Sequence, residues 1–146
     1  MQRFDWNDSF SVGVKVIDEQ HRVWIDQLNS LSAAIESHQE ARIISKTLNF
    51  MIDYVEFHFS AEESLMALQN YPALAQHKLA HEAFRKVLMD LMVLEIEEDG
   101  AVSKIGDSIN NFQISWLKDH IQQTDRLFGA YLKEKNVALC NEPCAL

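Results

Sequence analysis

Helix-breaking residues are scarce in this sequence: 4 glycines and 2 prolines among 146 residues. That scarcity excludes a fold made of many short strands and turns, and favours long helices. Cysteine is as rare, with 2 residues, Cys140 and Cys144, both near the C-terminus, so no disulfide framework can staple the chain. Basic residues are outnumbered, 13 against 22 acidic ones, for a net charge of −9. Such a surface repels phosphate backbones and anionic headgroups, which argues against nucleic acid and membrane as partners. No apolar run reaches the roughly 18 residues that a membrane-spanning helix needs. The opening segment MQRFDWNDSF lacks the apolar stretch of a secretory signal. Together with the cysteine usage, this leads us to expect a cytoplasmic chain.

What is present is apolar sequence, 47% of the chain, enough for one domain with a real core. Residues 1–17 read as an ordered arm, with Phe4, Trp6, Phe10, Val12, Val14 and Val16 available for packing. Helical periodicity then sets in. A first helix is expected from about Asp18, a candidate N-cap, to His38, with Ile17, His21, Trp24, Leu28, Leu31 and Ile35 on one stripe. A second runs from about Glu40 to Gln69, with Ile44, Leu48, Met51, Val55, His58, Glu62 and Leu65 aligned. Pro72 marks the start of a third, which carries Leu74, His77, His81, Phe84, Leu88 and Leu91 and ends near Gly100. A fourth spans about Val102 to Lys135, with Ile105, Ile109, Phe112, Trp116 and His120 inward. The pattern predicts an all-α, up-down-up-down four-helix bundle with an ordered N-terminal arm over residues 1–135, followed by a tail, 136–146.

Each of the four stripes is interrupted by residues that do not belong in an apolar core. His58 and Glu62, in HFSAEE, continue the second stripe without a change of phase, and His77 and His81 do so in the third. A buried carboxylate is costly unless it is paired or bound to a cation, and these stripes contain no lysine or arginine. One stripe histidine alone is an ordinary hydrogen-bonded core residue; donors on all four helices point instead to a metal centre. The candidate ligands are His21, His58, Glu62, His77, His81, His120 and Asp125. Five imidazoles and two carboxylates are too many for one ion, but fit two ions with shared carboxylates, a solvent bridge and one open position. Imidazole-rich, carboxylate-bridged donors suit iron, and the spacing also admits zinc, copper or manganese.

His120 and Asp125 are five residues apart, roughly 140° around an ideal helix. Either they approach the metals from two sides, or a π-type distortion aligns them. Other polar residues are expected to be bystanders: His38 at a helix end, Glu56 and Glu63 in solvent, and Asp18 and Glu19 capping the first helix. Cys140 and Cys144 are expected in a tail with free thiols. Trp24, Phe84 and Trp116 read as core packing, with Trp24 and Trp116 also placed to wall the metal pocket off from water.

The segments WNDSFSVGVKVIDEQH, HFSAEE, YPALAQHKLAH and HIQQTD together resemble the hemerythrin family, in its single-domain bacterial form. The resemblance runs from about Trp6 to Asp125. It implies a four-helix bundle around a non-haem pair of iron ions, with an oxo or hydroxo bridge, that binds O2 reversibly for transport, storage or delivery. It assigns His77, His81 and His120 to one iron, His21 and His58 to the other, and Glu62 and Asp125 to both. The first iron is then full, and the open position for O2, or for azide in the oxidised form, belongs to the second. Leu117, one turn before His120, is implied to lie over that position. No Glu-x-x-His motif of the ferritin-like oxidases occurs, and neutral imidazoles favour ferrous iron, so a binding protein is expected rather than an enzyme. The alternatives are sensing of O2, redox state or nitric oxide through a separate partner, and a nitric oxide or peroxide reductase.

Overall fold

The computed structural model describes residues 3–97 and 102–135. A short 3-10 turn, Asp8–Phe10, precedes helices α1 (Lys15–Glu36), α2 (Ala41–Leu68), α3 (Leu74–Glu97) and α4 (Val102–Asp119). A π-helical segment, His120–Asp125, joins α4 without a break to α5 (Arg126–Glu134), so the three form one long fourth helix. Helix α1 packs on α2 and α4, and α3 packs on the same two, which closes the expected four-helix bundle. The predicted turn at Gly100 and the thiols Cys140 and Cys144 lie outside the described residues.

The helix stripes fold as their spacing requires. Ile17, His21, Trp24, Leu28 and Leu31 are buried on α1, and Ile44, Leu48, Met51, Val55, His58, Glu62 and Leu65 on α2. Two polar residues stop these helices by the same device. After α1, His38 takes φ 53°, and the amides of His38 and Gln39 bond back to the carbonyls of Ile35 and Ala34. After α2, Asn70 takes φ 53°, and the amides of Asn70 and Tyr71 reach Ala67 and Met66. Both are left-handed caps that satisfy the last carbonyls of a helix. His38 is exposed there, as expected of a helix-end residue.

The arm is ordered, and its docking corrects one expectation. Helix α1 starts at Lys15 rather than Asp18, with Val14 as its cap residue. Asp18 therefore sits inside the first turn and caps the arm instead. Its carboxylate accepts from Ser11 Oγ at 2.6 Å and from the Val12 amide at 2.9 Å. The arm bends at Gly13, whose φ of +79° an L side chain rarely adopts. Upstream, Phe4 exchanges two backbone hydrogen bonds with the Asn29 amide, at 3.1 and 2.8 Å. Phe4, Phe10, Val12 and Val14 are thereby buried. Glu19 does not cap either; it faces Lys15 at 4.0 Å across one exposed turn.

The arm crosses α5 at Gly129. A Cβ there would lie 1.8 Å from the Val12 carbonyl oxygen, a backbone atom that cannot step aside. Gly129→Ala is expected to lever the arm off α5 and to cost about 1–3 kcal/mol, the usual range for overpacking. Thermal unfolding of the metal-free protein measures this; an unchanged midpoint would show that the arm contributes nothing to stability.

Candidate metal centre

All seven sequence-predicted donors meet in the core, and each is buried. They form two overlapping groups: Glu62, His77, His81, His120 and Asp125, and His21, His58, Glu62 and Asp125. Within each group one donor atom per residue lies within 4.8 Å of all the others. The two carboxylates belong to both groups because their oxygens point in different directions. Glu62 Oε1 faces His77 Nε2 at 2.5 Å and His81 Nε2 at 3.4 Å. Its Oε2 faces His58 Nε2 at 3.3 Å and His21 Nε2 at 4.0 Å. Asp125 Oδ1 lies 2.9 Å from His120 Nε2 and 3.1 Å from His77 Nε2, while Oδ2 lies 3.0 Å from His21 Nε2. Three imidazoles thus converge on one side and two on the other, with a carboxylate oxygen from each acid on both sides.

The π-helical segment makes this possible. A bond from the Arg126 amide to the Ile121 carbonyl spans five residues. The wider turn brings residues five apart into line, so His120 and Asp125 reach the same cavity from one helix face. Of the two geometries open to the sequence, the distortion is the one adopted.

The charges in this cavity need a cation. Burial raises a carboxyl group, yet Glu62 is held well below its usual value, by the charge of His58 and by hydrogen bonds from His58, His77 and His81. Burial and the charge of Glu62 push Asp125 up, but His120 and His21 outweigh them and lower it. Burial alone would depress His77; its hydrogen bonds to Asp125 and Glu62 overcome that and raise it to about 9. His81 goes the other way, lowered by burial despite Glu62, with His77 and His120 adding to the effect. Even so, His21 Nε2, His58 Nε2, Glu62 Oε2 and both Asp125 oxygens are buried and make no hydrogen bond of good geometry. Buried polar groups are rarely left so. Orphaned atoms aimed at one another from three helices fit metal ions better than they fit protons.

Several side chains that orient the donors escape a stripe-based reading. The Gln20 carbonyl oxygen lies 2.7 Å from His58 Nδ1. That oxygen can only accept, so Nδ1 carries the proton and Nε2 keeps its lone pair for a metal. Glu63 is not the solvated residue expected from its place off the stripe. Its Oε1 lies 3.3 Å from His81 Nδ1, in the seam between α2 and α3. Glu56 is exposed, as expected, and pairs with Arg85. Adjacency to a ligand in sequence was the available signal for Gln20 and Glu63.

Aromatic rings hold the imidazoles from behind. Phe59 stacks on His81 at 3.8 Å and 10°, and Trp116 on His120 at 4.2 Å and 15°. Trp24 is fully buried and packs against His58 and Trp116, with its indole N–H bonded to Gln113 Oε1 at 2.9 Å. Trp116 is half-buried, and Leu117, beside it on α4, is fully buried.

The comparisons with known proteins agree with this geometry. The hemerythrin HHE cation-binding domain matches residues 12–132. A bacteriohemerythrin of Stenotrophomonas maltophilia is 34% identical over 129 residues, covering 88% of this chain and 80% of that protein. One of Clostridium acetobutylicum is 31% identical over 126 residues, covering 84% and 96%. A hemerythrin-like protein of Naegleria gruberi is 29% identical over 129 residues, covering 88% and 93%. The donor-lined core and these matches together establish that the chain belongs to the hemerythrin family, proteins that bind O2 at a centre of two iron ions.

Proposed function

We propose that this protein binds O2 reversibly, as a carrier, store or delivery protein, at an iron pair held by the seven core donors. The observation that carries the reading is the division of the Glu62 and Asp125 oxygens between a three-histidine and a two-histidine group. His77, His81 and His120 would hold one iron, His21 and His58 the other, and the two carboxylates would bridge them. The two-histidine side has one protein donor fewer, so the open position belongs there. When bound, the iron pair supplies the electrons that O2 takes up and returns on release.

The surroundings of the open side support binding over turnover. His58 is flanked by Trp24 and Phe59 and tied to the neutral Gln20 amide. None of these can deliver a proton to bound oxygen, which reduction to water or peroxide requires. An apolar wall also keeps solvent protons out and so slows loss of the reduced form. Stopped-flow spectra of the reduced protein with O2, nitric oxide and peroxide test the reading. A stable oxygenated form that releases O2 under vacuum is expected. Sustained turnover of nitric oxide or peroxide would replace it with a reductase, and a stable nitric oxide adduct without O2 release would favour sensing.

Metal loading should show the proton balance of the cavity. His77, raised from 6.5 to about 9, carries a proton at neutral pH in the metal-free protein. Its ion pairs stabilise that form fully below about 6.5 and are lost as pH rises through about 9. The lowered carboxyls contribute above their usual 4.5 and 3.8, and lose that contribution only in stronger acid. A metal must expel the His77 proton, so apparent affinity should climb with pH until about 9 and then level. Anaerobic ferrous iron added at pH 7 in weak buffer should bind at about two ions per chain and release at least one proton. Glu62→Ala and Asp125→Ala should each lose the bridged pair. One ion per chain, or uptake without proton release, would contradict the assignment.

Leu117 is proposed to complete the apolar wall, because it is buried next to Trp116, which stacks on His120. Leu117→Ala should keep both irons and speed autoxidation several-fold. An unchanged autoxidation half-life would remove Leu117 from the pocket.

A further inference from the structure

The two second-layer partners in the site differ in charge. His58 is backed by a neutral amide oxygen of Gln20, whereas His81 is backed by the carboxylate of Glu63. Glu63 is itself held from outside. Its Oε2 lies 3.6 Å from Arg85 Nη2, one turn beyond His81 on α3. Arg85 is shared among acids: Nε and Nη2 bind Glu56 at 2.8 and 3.0 Å, and Nη1 binds Glu82 at 2.6 Å. Its guanidinium also lies 5.1 Å from the centre of the Phe59 ring, which stacks on His81 at 3.8 Å. Glu56, Phe59 and Glu63 form one strip of α2, and His81, Glu82 and Arg85 the facing strip of α3. A continuous chain of contacts therefore links an inner ligand to a partly exposed surface cation.

The geometry points to Glu63 and Arg85 as a pair of positioning residues that set the reduction potential of the iron pair in opposite directions. A carboxylate accepting from Nδ1–H makes the imidazole a stronger donor at Nε2. A stronger donor favours ferric over ferrous iron and lowers the potential. Arg85 tempers this, because its positive charge draws on the same carboxylate. Glu56 and Glu82 in turn draw on Arg85, so surface charge is communicated to the iron held by His77, His81 and His120. The asymmetry has a use on the functional reading above. The iron that stays full receives the charged support, and the iron with the open position receives the neutral one. This inference rests on His81 being an iron ligand.

Three variants of the iron-loaded protein test it: Glu63→Gln, Arg85→Gln and the double change Glu56→Gln, Glu82→Gln, the last at exposed positions with no packing at stake. Each should retain two irons, and the readouts are the midpoint potential and the autoxidation rate. Glu63→Gln should raise the potential and slow autoxidation. Arg85→Gln should lower the potential and speed autoxidation, because Glu63 is then free to draw on the His81 proton. The double variant should follow Glu63→Gln, because Arg85 is released to bind Glu63 more firmly. A merely structural clamp predicts shifts of one sign in Glu63→Gln and Arg85→Gln and none in the double variant. That result, or unmoved potentials with both irons in place, would overturn the inference while leaving the ligand assignment standing. Fewer than two irons in the unaltered protein would instead overturn the ligand assignment itself.

Discussion

Two carboxylates sit at the centre of this bundle, with no lysine or arginine beside them among the described residues, and everything around them answers that constraint. Taking an ion out of water costs several kcal/mol even after relaxation. Glu62 and Asp125 are both essentially fully buried, and among the described residues imidazoles are the basic groups that face them. In the metal-free protein a proton on His77 covers part of the charge. It cannot cover all of it, because several donor atoms are left without partners. Two divalent ions would satisfy the same atoms at once.

The rest of the fold keeps those donors aimed. Aromatic rings brace His81 and His120 from the side away from the cavity. Gln20 and Glu63 set which nitrogen of His58 and His81 faces inward. The π-helical turn aligns His120 with Asp125, at the expense of regular helix geometry. The N-terminal arm closes over α5 through Asp18 and the close approach at Gly129, so the segment carrying Asp125 is held from outside as well.

Much of this was legible in the sequence, and the parts that were not share a cause. Stripes with a helical period located six of the seven candidate donors, all but Asp125, since a side chain in phase with Leu48 or Phe84 must share its burial. The period fails one step off the stripe. Glu63, about 100° from its stripe, reads as solvent-facing, and Gln20, as far from its own, draws no notice, yet a helix in a bundle is covered on more than one side. Asp18 misled for another reason. A short acidic side chain near a helix start can cap that helix or capture the preceding chain, and only the path of the arm decides between them. For His120 and Asp125, a separation of five residues fits two backbones, and hydrogen bonding settled which one formed.

Glu62 and Asp125 are proposed each to span two irons, with the open position beside His21 and His58. A crystal structure of the oxidised, iron-loaded protein with azide addresses both halves at once. Azide on the iron held by His21 and His58, with both carboxylates bridging, is the expected result. Azide on the iron held by His77, His81 and His120, or a single metal ion in the cavity, would contradict it.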